Sequence, residues 1–486
     1  MRGFGIGLAA VLAVAAPAQA ASDPVVEKQR LIVLSDIEAE ADDSQSLIRL
    51  LLYANEIDIE GLIATTSIWL KTDPQPETMR RIVAGYGKVQ LNLLRNAPGY
   101  PSPAQLLALI QRGQPGYGMA SVGTGKDSAG SALLLRALER PDPRPLWVAV
   151  WGGANTLAQA LYTLRATRSP AEAARLIAKL RVYTISDQDD SGAWLRREFP
   201  NLFYIVSTGP YSNGSWTGMS TPIEGIDNGT VSNDWIARNI QQGHGALGAL
   251  YPDVAWTMEG DTPSFLNLIP TGLSDPEHPE WGGWGGRYER YVPRPFAAGE
   301  TVTGGIPLAP ETRPIWTNAD DAYTPMVPTP YSRPVASEKT FRGPMVTVWR
   351  WRDAYQNDMA ARIAWTTRAY AEANHPPVPR LAHADRLTVH SGEKIVLDAS
   401  PSTDPDGDSL SFAWFPYPEA SSWKQPVPIN RPENIYRANA TAPVVEKPET
   451  VHFVVAVTDK GTPALTRYRR VIVTILPSAD GGRRGS

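Results

Sequence analysis

The sequence predicts a doubly wound α/β domain on a mostly parallel sheet, followed by a small all-β sandwich. Three observations predict it. Apolar runs alternate with amphipathic helical patterns from Arg30 to Ser207, which indicates a parallel sheet covered on both faces. A stiff, Pro-rich stretch, "HPPVPR", then interrupts the pattern. Beyond it, short alternating strands and turn signals take over.

The elements follow in order. Leu31 to Leu34 reads as a strand and Asp43 to Asn55 as a helix; Ile59 to Thr66 is a second strand and Glu77 to Gly87 a second helix. Ser131 to Glu139 is helical, and "PLWVAVWGG" is a strand ending at Trp151. Asn155 to Arg165 and Ser169 to Lys179 are helical, and "LRVYTIS" and "LFYIVS" add two strands. After Trp256 the texture turns to Gly-, Pro- and Trp-rich loops, closed by a helix over Asp353 to Asn374. "DRLTVHSGEKIVLDASPSTDPDGDSLSFAWF" and "TVHFVVAVTDKGTPALTRYRRVIVTIL" give the immunoglobulin-like sandwich. The expected organisation is a signal segment over 1–20, the α/β domain over 21–375 and the sandwich over 380–478.

Composition narrows the function classes. Arg2, the short apolar stretch Ile6 to Ala16 and Ala18-Gln19-Ala20 fit a secretory signal, with Ala21 as first mature residue and a secreted or periplasmic location. No later stretch is long and apolar enough for a membrane span, so no membrane partner is expected. With a formal charge of −4 and no basic block, nucleic acid is not an expected partner. The absence of cysteine excludes disulfides, thiol nucleophiles and zinc thiolate sites. Fifteen tryptophans suit either core packing or sugar stacking. A homo-oligomer is an open alternative.

The chemistry concentrates in "VLSDIEAEADDSQSLIRLLLYA", where a strand is followed by Asp36, Glu38, Glu40, Asp42 and Asp43 and then by a helix. Helix capping accounts for one or two acids. The others stay ionised together if a hard cation sits among them, and Ca2+ takes about 6–8 oxygen ligands from such clusters.

The spacing Asp36-x-Glu38-x-x-x-Asp42-Asp43 resembles the Asp-x-Asp-Pro-Gly-x-Asp-Asp signature of nucleoside hydrolases. Two departures stand out: Glu38 replaces an Asp, and Ala39-Glu40 replaces Pro-Gly. Three further stretches follow in the family's order. "VAVWGGANTLAQAL" resembles the family's strand and glycine turn; "TISDQDDSGAW" falls at its ribose-gripping region; "EGDTPSFLNLIP" resembles its last calcium-binding stretch. The resemblance implies a calcium held by Glu38, Asp43, the Trp151 carbonyl and Asp261, with Glu38 or Asp36 as proton acceptor and Asp42 on a ring hydroxyl. Asp187, Gln188, Asp189 and Asp190 suit sugar hydroxyls. Gly260 stands where many of these enzymes carry a leaving-group His, so Glu259 becomes a substitute acid or the leaving group is no nucleobase.

"EGDTPSFLNLIPTGLSDPEHPEWGGWGGRY" followed by a sandwich is similar to a secreted branch described as cellulose-binding proteins with a nucleoside hydrolase-like domain. In "WGGWGG", Trp281 and Trp284 read as exposed sugar platforms, as do Trp69 and Trp216 in other loops, with core packing as the alternative. Lys126, Asp127 and Ser128 edge the pocket or form a Gly-rich connector. His278 is a general acid or structural, and Asp404, Asp406 and Asp408 form a calcium-tolerant or solvated turn. The leading expectation is a calcium-dependent, inverting hydrolase of a glycosidic bond in a sugar or oligosaccharide. The alternatives are a non-catalytic binder of cellulose or another polysaccharide, and a periplasmic nucleoside hydrolase.

Overall fold

The computed structural model describes residues 27–294, 304–306, 310–327, 335–431 and 435–478. The signal segment expected over 1–20 lies outside the described residues. Eight strands form the central sheet: β1 (Gln29–Ser35), β2 (Ile57–Ala64), β3 (Ile110–Arg112), β4 (Leu146–Val150), β5 (Leu180–Thr184), β6 (Phe203–Val206), β7 (Tyr288–Tyr291) and β8 (Ile315–Asn318). Their order is β3-β2-β1-β4-β5-β6-β8-β7, with all neighbours parallel except β7 against β8.

The alternation of side chains along each strand divides two cores. Leu31 and Val33 of β1 face one core, whereas Ile32 and Leu34 face the other. Trp147 and Ala149 of β4 join the first core, and Leu146, Val148 and Val150 the second. Helix α1 (Ala41–Leu52) lays Leu47, Ile48 and Leu51 on the first face. The helices Ala129–Glu139 and Asn155–Thr167 lay Leu134, Leu138, Leu157 and Leu161 on the second. Burying each such side chain contributes roughly 1.5–3 kcal/mol before entropy is counted. The order reverses between β1 and β4, and the carboxyl ends of strands at such a switch point are where open α/β sheets hold ligands.

Three expectations need correction here. The closing helix, expected to reach Asn374, runs only over Arg352–Ala364, and a single 3-10 turn covers Tyr370–Glu372. Just beyond the end of that helix, the Thr366 hydroxyl lies 2.6 Å from the Ile363 carbonyl and 2.9 Å from His244 O, either of which can accept its one proton. The first helix begins at Ala41, with Glu40 extended before it, so Asp42 and Asp43 fall in its first turn. The loops expected after Trp256 also contain β7 and β8, two four-residue strands too short to show a period.

The second unit pairs a four-stranded sheet (Arg386–His390, Thr466–Leu476, Glu449–Thr458, Ser411–Pro416) with a three-stranded one. Phe453, Val455 and Val457 point into its own core, while Val454 packs into the core of the α/β domain with Tyr468 and Tyr417. Tyr468 N also donates to the Thr271 carbonyl (2.8 Å). The run "VHFVVAV" is apolar on both faces because both faces are covered.

Candidate functional site

Two turns meet at the switch point. After β1, Ala39 N donates to the Asp36 carbonyl (2.9 Å), and Glu38 takes φ +84°. Asp42 and Asp43 follow at the start of α1, where free N–H groups and the helix dipole favour carboxylates. After β4, Trp151 leads into Gly152. A Cβ on Gly152 would stand 2.7 Å from Asp36 Oδ1, so glycine is what lets this turn lie against the acid. Asp261 comes from the loop before the short helix Pro263–Leu266.

Asp42, Asp43 and Asp261 each offer a carboxylate oxygen, these oxygens lying within 4.8 Å of one another, and all three residues are buried. No other group of three or more acidic or His side chains is so placed among the described residues. Ser35 Oγ donates to Asp43 Oδ1 (2.5 Å) and Thr257 Oγ1 to Asp42 Oδ2 (3.0 Å). Asp261 Oδ2 is buried without a partner. Burial pushes all four carboxyls up: Asp36 to about 7, Asp42 above its usual range, Asp43 and Asp261 well above. For Asp36, Asp43 and Asp261, the charges of the other acids in this turn and loop, Asp42 and Glu40 among them, raise them further. An orphaned buried oxygen amid mutually repelling acids fits a hard divalent cation with oxygen ligands.

Residues 30–288 match the family described as cellulose-binding Sde182, nucleoside hydrolase-like domain, and 394–475 match the C-terminal domain of cellulose-binding protein Sde0182. The first match alone spans more than half of the 486 residues. The chain belongs to this cellulose-binding Sde182 family. A solved structure from Saccharophagus degradans, a nucleoside hydrolase-related hypothetical protein associated with carbohydrate metabolism, is 36% identical, with 92% of this chain and 100% of that chain covered and a TM-score of 0.76. The type III effector protein XopQ, solved with adenosine diphosphate ribose, is 13% identical over 72% of this chain and 95% of that one; its TM-score of 0.31 carries no argument. Among curated protein sequences, none matches.

In this Sde182-type site, several of the roles expected from sequence move. Glu38 lies outside the carboxylate cluster of Asp42, Asp43 and Asp261. Its positive φ turns it outward, where Thr78 Oγ1 donates to its Oε1 and Arg81 Nη2 lies at 3.4 Å. The Trp151 carbonyl accepts a hydrogen bond from Gln188 Nε2, leaving its second lone pair. The Trp151 indole reaches Ser264 Oγ (2.8 Å), which donates to the Asp261 carbonyl (2.6 Å), so this tryptophan braces the acid loop.

Glu259 is not a spare acid: it is fully buried in an ion pair with Arg49, and Tyr251 OH donates to it (2.6 Å). Asp187 is likewise tied to Arg196 (2.8 Å), and Asp190 Oδ1 accepts from Met119 N (2.7 Å). Gln188 Oε1 and Asp189 Oδ2 are buried acceptors without partners, and burial pushes Asp189 up to about 6. Lys126, Asp127 and Ser128 form a connector: Lys126 Nζ donates to the Ala120 carbonyl, Asp127 accepts from Thr163, and Ser128 caps the next helix.

The tryptophans divide sharply. Trp284 is fully buried against Tyr355 and Tyr468, and Trp281 stacks on His278 (4.0 Å) with Arg470 and Arg386 over its ring. Both belong to the domain junction, and neither is an exposed platform; His278 is placed there with them. Trp216 is buried at the acid site. A Cβ on Gly260 would lie 2.8 Å from Asp42 Oδ2 and 3.0 Å from Trp216 Cζ3, so the indole fills the space a side chain at 260 would need. Trp69 is partly exposed and donates to Tyr211 OH (3.3 Å), whose ring meets Trp216. Trp256, exposed on the neighbouring loop, carries no signal in the sequence, because nothing about its spacing separates it from core tryptophans. Asp404, Asp406 and Asp408 gather no cation group; Asp406 pairs with His375 (2.9 Å).

Proposed function

We propose that this protein binds cellulose or a closely related polysaccharide at the carboxyl-end face of its α/β domain. Asp42, Asp43 and Asp261 would hold a divalent cation there, Ca2+ by their donor chemistry. The observation that carries the binding reading is the indole of Trp216, packed where a leaving-group acid at position 260 would stand. Family membership supports the polysaccharide. When bound, the cation supplies the positive charge that keeps these acids ionised together. The chain's own residues fix the acids: Ser35 orients Asp43, Thr257 orients Asp42, and Trp151 with Ser264 holds the Asp261 loop.

A second reading is a glycosidic-bond hydrolase that works by inversion. Asp36 favours it: with Glu38 turned away, Asp36 is the buried carboxyl beside the acid group that could take a proton from an attacking water. A nucleoside as substrate loses support, since Trp216 and the ion-paired Glu259 leave no acid at the base position.

The test is pull-down on insoluble cellulose beside a hydrolysis panel of p-nitrophenyl glycosides, nucleosides and plant polysaccharides, each with Ca2+ and with chelator. Saturable retention without turnover is the expected result. Turnover that chelator and Asp43→Asn both abolish would replace the binding reading with the hydrolase.

A further inference from the structure

Against the outer side of the turn between β1 and α1 lies a groove of about 450 Å³, bounded by Glu38, Glu40, Arg81, Leu250, Pro252 and Trp256. We infer that this groove is the sugar subsite, and that a pyranose ring of a neutral β-linked glucan chain stacks on the Trp256 face with its hydroxyls on Glu38 and Arg81. The inference rests on the polysaccharide-binding reading above and says where the chain is held.

Trp256 is 86% exposed, and the next most open tryptophan among the described residues, Trp69, is 43% exposed. At the edge of a cleft, an indole this open presents its flat face to a ring that enters the groove. The same groove also carries charge held in a costly way. Glu38 keeps a left-handed backbone, φ +84°, rare for a residue with a side chain. That conformation brings its carboxylate to Thr78 and Arg81, and a half-exposed pair of this kind adds little stability. Its use is therefore in what it presents: a fixed acceptor next to a guanidinium carrying spare donors, with which vicinal hydroxyls can pair.

Charge selects within the carbohydrates. Glu38 and Glu40 outnumber Arg81 on the rim, so the groove disfavours uronate or sulfated chains. A glucan with equatorial hydroxyls offers uncharged C–H faces that suit the indole and the apolar Pro252 and Leu250 beside it.

The experiment is calorimetric titration of the full chain with cellohexaose and, in parallel, with an oligogalacturonate, repeated for Trp256→Ala and Glu38→Gln. Thermal unfolding checks that each variant folds. Trp256→Ala should weaken cellohexaose binding by about tenfold or more, as loss of an aromatic anchor does, and Glu38→Gln by a few-fold. Oligogalacturonate should bind less well than cellohexaose. Unchanged affinity in Trp256→Ala, with the native chain binding cellohexaose, would overturn the groove and leave the polysaccharide reading standing. No binding of any glucan by the native chain would bring down that reading as well. Tighter oligogalacturonate binding would overturn the choice of a neutral chain.

Discussion

At the domain junction, Asp358 receives Arg467 (2.5 Å), Arg362 (3.1 Å) and Tyr53 OH (2.6 Å). Close by, Asp321 receives Arg287 (2.7 Å), Arg350 (2.9 Å) and Tyr417 OH (2.6 Å). At the strand ends, Asp36, Asp42, Asp43 and Asp261 are equally buried but meet mainly hydroxyls, backbone and each other. The two regions respond in opposite directions. Against the upward push of burial, the neighbouring arginines bring the Asp321 and Asp358 carboxyls below the usual range. Burial pushes the strand-end acids up, and the charges of neighbouring acids add to that push. Buried charge that the chain neutralises itself is scaffold; buried charge it leaves unbalanced is a place for something else.

The largest effect should come from the balanced side. Asp358→Ala leaves Arg467 and Arg362 buried without their carboxylate, and denaturant unfolding should show a loss of about 3–5 kcal/mol. The unbalanced side should answer to metal instead. Calcium at about a hundred times its Kd should add about 2.7 kcal/mol to the folded state, read as a Tm rise that chelator reverses. Asp261→Asn should lose that rise while Asp358→Ala keeps it. A native chain whose Tm ignores calcium would break the comparison.

The pH dependence separates the regions too. Asp321 and Asp358 titrate lower when folded, so their stabilisation is present above the unfolded carboxyl range and is lost as pH falls through their folded values. Asp36 titrates at about 7 when folded, so its contribution is present below about 4 and is lost as pH rises through about 7. Metal-free protein should therefore lose stability between about pH 4 and pH 7, by circular dichroism melts, and calcium should flatten or reverse that slope. Smaller again is Gly260→Ala. Its Cβ, 2.8 Å from Asp42 Oδ2, should cost about 1–3 kcal/mol and weaken calcium binding in titration. Glu38→Gln should change unfolding by less than about 0.5 kcal/mol and leave the calcium response intact.

The sheet is legible in the sequence at β1, β2, β4, β5 and β6, because each of these is an apolar run beside a helix of clear period. Hidden from it are β3, β7 and β8, which are too short to show a period, and the junction, whose partners lie more than about a hundred residues apart. At the site, the crowded acids of the first turn and the distant Asp261 could be read from charge and order. Which acid of that turn faces inward could not, since spacing carries no sign of φ, and among these acids Glu38 alone takes the positive value. The "WGGWGG" run reads as an exposed loop because it has no period and is rich in glycine; Gly282 to Gly286 are instead buried, with Gly282 against Tyr417 of the sandwich. The meaning of Gly260 appears only once Trp216, from a distant loop, is placed against it.

The shared core has a consequence in time. Chains emerge amino end first, yet the first core of the α/β domain includes Val454 and Tyr468. Until Tyr468 arrives, Trp284 and Trp351 lack the ring that packs against them. The early domain therefore waits, incompletely closed, for nearly the whole chain. A copy shortened before the last two strands would be left with an open apolar wall in place of a smaller protein.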